Sequence, residues 1–112
     1  MALASESCVA CRPDSAALDL DERRALLEQV PGWALETRDD MPVLTRTFLF
    51  GDFAGALEYT NVVGGLAEAA DHHPEILTEW GRVRVTWWTH AIGGLHRNDF
   101  ILAARCNEIA AG

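Results

Sequence analysis

One short stretch of this sequence places two histidines close to a carboxylate, at a spacing that suggests proton-transfer chemistry. Glu68 stands four residues before His72, and His73 and Pro74 follow directly. Histidine titrates nearest to neutral pH, so it can give or take a proton there. Residues four apart share a helix face, so Glu68 and His72 would meet if the helix reached His72. Because Pro74 disfavours helical backbone at His73, we expect the helix to end here and the two histidines to point in different directions.

A second group of polar residues follows: Thr89 and His90 stand at the end of a segment that alternates with period two, and Asp99 comes nine positions after His90. A reaction that expels hydroxide from carbon needs an acid on the leaving oxygen and a base on a nearby N–H or C–H. Two or three histidines oriented by carboxylates would supply both. Each residue alone also has a structural explanation, such as Asp99 starting a helix. The sequence also has four tryptophans, whose flat apolar rings could stack on a planar heterocycle: Trp33, Trp80, Trp87 and Trp88.

The apolar pattern predicts the helices and strands that must position these residues. Asp19 and Glu22 have the spacing of a capping box, and Pro31 and Gly32 stop the helix that follows. Asp52 is suited to cap a long helix. The predicted elements are a helix from 19 to 30, strands at 33–37 and 43–50, a helix from 52 to 70, strands from 76 and at 83–90, and a helix at 98–111.

This order, α-β-β-α-β-β-α, predicts the fold class. Strand pairs joined by short turns favour an antiparallel sheet, and the helices between them gather on one face. We therefore expect an α+β fold with a four-stranded antiparallel sheet and helices packed on one face. The predicted organisation is an N-terminal arm at residues 1–14 and a single domain at residues 15–112.

Composition excludes several classes of function. The chain of 112 residues has 17 Asp and Glu against 9 basic residues, all Arg, which gives a net charge of −8. This balance argues against binding nucleic acid, and the lack of lysine excludes side-chain Schiff-base chemistry. The longest uncharged stretch, Val85 to His96, is far shorter than the about 20 residues of a membrane-spanning helix. The first residues lack the pattern of a secretory signal, so we expect no membrane association and a cytoplasmic location.

Cys8 and Cys11 form a C-x-x-C pattern in the predicted arm. A zinc site would need two more ligands at suitable spacing, and the sequence has no second C-x-x-C and no histidine pair nearby. We expect an arm that is not essential, with a weak metal or redox role as the alternative.

From Glu68 to Asp99 the sequence resembles the pterin-4a-carbinolamine dehydratase family, and the similarity extends from Pro31-Gly32-Trp33 to about Glu108. The Cys8-x-x-Cys11-Arg12 arm is similar to the N-terminus of bacterial members that accompany phenylalanine hydroxylase. The residues that carry the resemblance are Glu68-Ala69-Ala70-Asp71-His72-His73-Pro74, Trp80, Thr89-His90, Gly93-Gly94-Leu95 and Asp99.

The resemblance implies dehydration of 4a-hydroxytetrahydropterin to quinonoid dihydropterin, which recycles the cofactor of aromatic amino-acid hydroxylases. It implies catalytic roles for His72, His73 and His90, no metal or organic cofactor, and a homodimer or homotetramer. An aromatic amino-acid hydroxylase is the macromolecular partner that it suggests. We hypothesise that His72 and His90 act as acid and base and that His73 fixes the pterin ring. Substrate-binding or orienting roles are expected for Glu68, Pro74, Trp80, Thr89, Asp99 and Trp33.

Two other functions stay open at this point. The first is a non-catalytic interaction protein, for which the apolar face of the long helix would serve; that face carries Tyr59, Val62, Val63 and Leu66. The second is a metal site formed by Glu68, His72 and His90, because two histidines and one carboxylate can hold iron or zinc.

Overall fold

A computed structural model describes residues 2–9 and 16–111 of the chain. The main elements are α1 (Leu20–Leu27), β1 (Ala34–Arg38), β2 (Met41–Leu49), α2 (Phe53–Ala70), β3 (Glu75–Glu79), β4 (Arg82–Trp87) and α3 (Arg97–Ala111). Short 3-10 turns lie at Leu3–Ser5 and His90–Ile92. The predicted α+β fold and its order of elements are confirmed. Within the described residues, no helix is long and apolar enough to cross a membrane.

The four strands form one antiparallel sheet in the order β1-β2-β4-β3. Both hairpins have two-residue turns. Asp39 and Asp40 join β1 to β2 with φ values of 50° and 64°, the left-handed backbone that such turns require. Trp80 and Gly81 join β3 to β4, and the φ of 75° at Gly81 explains why a glycine stands there.

The core lies between one face of the sheet and the helices. Phe48, Val83 and Val85 point from β2 and β4 towards the helices, where Tyr59 and Val63 of α2 cover them. The same core takes in buried residues of α3 and Leu26 of α1. Both predicted N-caps are present: Asp19 and Glu22 form the capping box of α1, and Asp52 accepts a hydrogen bond from the Gly55 N–H at the start of α2.

The end of α2 is the local feature that positions the histidines. The helix stops at Ala70 because Asp71 takes left-handed backbone, with a φ of 51°, and its N–H donates back to the carbonyls of Ala67 and Glu68. The His72 N–H also donates to the Ala67 carbonyl, over 3.1 Å. Both histidines therefore lie outside the helix.

Strand β4 is shorter than predicted, since the sequence pattern suggested a strand up to His90. It ends at Trp87. Glu75 faces Thr86 in the β3–β4 register, so the next residue of β3, facing Trp87, would be Pro74. Proline has no N–H to donate, so the hydrogen-bond ladder between the two strands ends there. The chain instead turns at Thr89, whose N–H donates to the Gly94 carbonyl over 2.8 Å, and His90 begins a 3-10 turn.

Candidate active site

His72 is held between α2, α3 and the sheet. Its Nε2 lies 2.6 Å from Oδ1 of Asp99, and the two side chains are 10% and 0% exposed. The indole of Trp87 stacks on the imidazole, with ring centroids 5.8 Å apart and an interplanar angle of 19°. These two contacts fix both the position and the tilt of the imidazole.

Asp99 stands in the first turn of α3, where the helix dipole favours a negative charge. Its second carboxylate oxygen, Oδ2, accepts hydrogen bonds from Thr89 Oγ1 over 2.7 Å and from the His96 N–H over 2.9 Å. Three hydrogen bonds therefore satisfy this buried carboxyl group. An ionised carboxylate only accepts, so His72 Nε2 donates to it, which leaves His72 Nδ1 as the nitrogen that can exchange a proton.

His73 lies beside His72 in the chain but has a different partner. Its Nε2 is 2.7 Å from Oε1 of Glu68, and the two side chains are 56% and 80% exposed. The spacing suggested that Glu68 would meet His72 if the helix reached that far. Because α2 ends at Ala70, Glu68 meets His73 instead.

The histidines meet at one cavity with a volume of about 660 Å³. This is within the usual size range of small-molecule sites. His72, His73 and His90 all line it, and Trp88 contributes an aromatic wall. The Arg38 guanidinium lies over the Trp88 ring, 5.6 Å from its centroid. The remaining lining residues are Cys8, Val9, Ala70, Asp71, Thr89, Ala91 and Asn98.

The other residues expected at the site lie in different places. Thr89 lines the cavity, Asp99 stands behind His72, and Pro74 precedes the first residue of β3. Trp80 is 71% exposed at the β3–β4 turn, the end of the hairpin away from the cavity. Trp33 is buried against Phe48, and its Nε1 donates to Asn107 Oδ1 over 2.7 Å. The structure thus brings the three histidines, Thr89 and Asp99 together, and neither Trp33 nor Trp80 lines the cavity.

Some cavity residues were not singled out from the sequence. Trp88, which directly follows β4, had a signal, because its flat ring made it one of the four stacking candidates. Asn98, next to Asp99, had none: its side chain binds the backbone of Val9, and 89 positions separate the two residues. Cys11 and Arg12, which belong to the C-x-x-C pattern of the arm, lie outside the described residues.

A metal site was an alternative for Glu68, His72 and His90. Among the residues that the structure describes, no three His, Cys, Asp or Glu side chains are grouped so that they could hold a metal ion. Glu68 and His72 have separate partners, as described above. Cys106 lies deep in the core, where burial raises the pKa of its thiol to about 12, so the thiol stays protonated at neutral pH.

Comparison with known proteins points to one family. The family model of pterin 4 alpha carbinolamine dehydratase matches residues 16–109. A Hahella chejuensis protein that carries the name pterin-4-alpha-carbinolamine dehydratase is 52% identical over 103 residues, which are 92% of each chain. A solved Brucella melitensis structure, described as a transcriptional coactivator/pterin dehydratase, is 34% identical, with a TM-score of 0.77 over 85% of this chain and 99% of the other.

A second solved structure shares the fold at lower similarity. It is described as a pterin dehydratase-like protein and RuBisCO assembly factor of the alpha-carboxysome. It is 23% identical, with a TM-score of 0.61 over 72% of this chain and 92% of the other. At this identity the similarity concerns the fold alone.

Proposed function

The chain belongs to the pterin-4-alpha-carbinolamine dehydratase family, enzymes of the lyase class, and from this premise we propose that its cavity dehydrates 4a-hydroxytetrahydropterin to quinonoid dihydropterin. The observation that carries the proposal is the meeting of His72, His73 and His90 at one cavity of ligand size beside the Trp88 ring. A flat pterin fits such a site, because its face can stack on an indole while its polar edge meets the histidines.

The reaction needs two proton transfers and no redox partner. The bond between carbon 4a and its hydroxyl oxygen breaks, and an acid protonates the leaving oxygen so that it departs as water. A base takes the proton from nitrogen 5, and the electron pair left there forms the double bond to carbon 4a. We assign these two transfers to His72 and His90, since both line the cavity and His72 keeps Nδ1 for proton exchange.

The remaining residues act as positioning groups in this proposal. Asp99 and Thr89 hold His72 in one orientation, and Glu68 holds His73, which fixes the pterin ring. The pterin ring stacks on Trp88 in this proposal, because the Trp33 indole is buried in the core and Trp80 lies at the β3–β4 turn, away from the cavity.

We further propose a place for this activity in the cell. The product is a form that a reductase can return to the tetrahydropterin, so the reaction recycles the cofactor of aromatic amino-acid hydroxylases in the cytoplasm, with such a hydroxylase as a partner. A homodimer or homotetramer is supported by exposed apolar residues on α2, where Leu57 and Val62 are each 44% exposed and Phe53 is 45% exposed.

Quinonoid dihydropterin formation from the freshly made 4a-hydroxy compound tests the activity. We expect replacement of His72 or His90 by Ala to lower kcat at least about 100-fold and His73→Ala to raise KM more than it lowers kcat. Leu49→Ala is the control, since Leu49 is exposed at the far end of the sheet. Full activity of His72→Ala or His90→Ala would refute the assignment, and an inactive wild-type protein that still co-purifies with a partner would favour an interaction role.

A further inference from the structure

The N-terminal segment 2–9 packs on α3 instead of extending into solvent. Leu3 is 2% exposed and belongs to the hydrophobic core. Arg105 of α3 donates hydrogen bonds to the carbonyls of Ala4 and Glu6. Arg97 donates from Nε and Nη2 to the two carboxylate oxygens of Glu6, over 2.7 Å in both cases. Such a two-point contact between guanidinium and carboxylate fixes the direction of the segment as well as its position.

The end of this segment is bound by the side chain of Asn98. The Val9 N–H donates to Asn98 Oδ1 over 3.1 Å, and Asn98 Nδ2 donates to the Val9 carbonyl over 2.6 Å. Asn98 is 2% exposed, so its side of these partly buried hydrogen bonds is shielded from water. The amide of Asn98 thus pairs with the Val9 backbone as a neighbouring strand would.

Asn98 and Asp99 are consecutive, and they hold different parts of the same cavity. Asp99 holds His72 and Asn98 holds Val9, and both His72 and Val9 line the cavity. The first turn of α3 therefore sets the distance between the segment and the histidine. The backbone of Val9 is held by Asn98, yet the residue is 61% exposed, so its side chain is available to a bound molecule.

We propose that Val9, held by Asn98, positions the substrate and contributes to the choice among pterins with different substituents. This inference rests on the proposed dehydratase function. Val9 supplies an apolar contact in a cavity that three histidines also line, so the substrate can contact an apolar side chain as well as the polar groups that react with it. Because Val9 carries no proton that could be transferred, its contribution is to binding and not to the chemical step.

The first test is Asn98→Asp, which keeps the shape of the side chain but replaces the amide donor with a second acceptor facing the Val9 carbonyl. We expect KM for the 4a-hydroxytetrahydropterin to rise about tenfold while kcat stays within about twofold of wild type. Asn61→Asp is the matched control, because Asn61 is exposed on α2 and the same change there leaves KM unaltered. A lower kcat with an unchanged KM would assign Asn98 to the support of Asp99 and overturn the inference.

The second test does not depend on the fold tolerating a change at a buried position. Val9→Trp adds bulk to an exposed side chain that lines the cavity, so we expect kcat/KM to fall at least about tenfold, unequally for pterins with short and long substituents. Leu49→Trp makes the same addition at an exposed site far from the cavity and is the control. A kcat/KM equal to that of wild type would overturn the inference.

These outcomes are distinct from failure of the proposed function, which would appear as an inactive wild-type protein. In that case the affinity for 7,8-dihydrobiopterin, measured by quenching of tryptophan fluorescence, takes the place of KM. Weaker binding by Asn98→Asp than by wild type supports the role of the segment. The inference is overturned if the two proteins bind equally well, or if wild type does not bind at all.

Discussion

Two histidine-carboxylate pairs stand side by side in this molecule, with almost equal separations and very different surroundings. His72 and Asp99 are 2.6 Å apart and nearly sealed from solvent, whereas His73 and Glu68 are 2.7 Å apart and largely exposed. Water and salt screen the exposed pair, and its two flexible partners lose conformational freedom on pairing. The buried pair is not screened, and its carboxylate is fixed by other hydrogen bonds. A short distance alone therefore says little about how strongly a residue depends on its partner.

The two pairs also differ in what they join. Glu68 and His73 are five positions apart, so their contact is local to the end of α2. His72 and Asp99 are 27 positions apart, so their contact ties α2 to α3. We therefore expect the buried pair to matter for both activity and stability, and the exposed pair to adjust activity alone.

The largest expected effect comes from Asp99→Asn. The amide oxygen can accept from Thr89 and the His96 N–H, which turns the NH₂ group toward His72 Nε2 and imposes the other tautomer on the imidazole. A wrong tautomer in a comparable carboxylate-histidine arrangement costs about 10⁴ in kcat, so we expect a loss between about 100-fold and 10⁴-fold. Steady-state kinetics measures it, with the exposed Asp21→Asn as control. A loss below about threefold would show that Asp99 does not orient His72.

A smaller effect is expected for Thr89→Val, which keeps the side-chain shape but removes the 2.7 Å hydrogen bond to Asp99 Oδ2. The carboxylate oxygen is then left with the His96 N–H alone. We expect a loss of about 1–2 kcal/mol in the free energy of unfolding and about tenfold in kcat. Denaturant titration and kinetics measure these, and Thr47→Val, at an exposed position of β2, is the matched control. Unchanged stability would mean that water replaces the threonine.

Glu68→Gln should change little. The glutamine can still accept from His73, and the lost charge was exposed, so we expect kcat/KM within about threefold of wild type and unfolding within about 0.5 kcal/mol. A double-mutant cycle of Glu68→Gln with His73→Ala measures the coupling directly. Coupling as strong as that between Asp99 and His72 would refute the contrast between the two pairs.

The smallest effect concerns the pair that the half-buried Glu6 forms with the exposed Arg97, for which a pH-dependent change in stability is predicted. The Arg97 hydrogen bond holds the pKa of the Glu6 carboxyl below its ordinary value of 4.5. A lowered pKa means that the contribution to stability is present above pH 4.5 and is lost as the pH falls below it. Glu6→Gln should therefore unfold at a lower temperature than wild type at pH 7, and the gap should close in acid. A gap that is independent of pH would contradict this.

Sequence reasoning succeeded where the signal was local. The capping box of Asp19 and Glu22, the cap at Asp52 and the alternation in β4 all specify structure within a few residues, and all are present. The order of strands and helices then left an antiparallel sheet as the simplest arrangement. Adjacent His72 and His73 were expected to diverge because of Pro74, and they do.

Contacts between distant parts of the chain could not be predicted in the same way. Ending α2 at Ala70 decided which histidine meets Glu68, and helix ends are set by hydrogen bonds that a sequence pattern places only to within a residue or two. The sequence offered four indoles for stacking, and substrate-binding roles were expected for Trp33 and Trp80. Only the packed structure shows that the Trp33 indole donates to Asn107 of α3. It likewise shows that Trp88 lines the cavity.

The hydrogen bonds between Asn98 and Val9 have a further consequence for how the molecule opens. They join residues 89 positions apart, so they close a loop of nearly the whole chain. The conformational entropy lost on closing a loop grows with its length, so this closure is costly. The segment they hold is short and contributes no strand to the sheet, so we expect it to detach from α3 at a lower free energy than the sheet unfolds. Hydrogen exchange at the Val9 amide should therefore proceed by a local opening, well before the exchange of the amides in β2 and β4. The cavity then loses the part of its lining that Cys8 and Val9 supply, while the sheet is still folded.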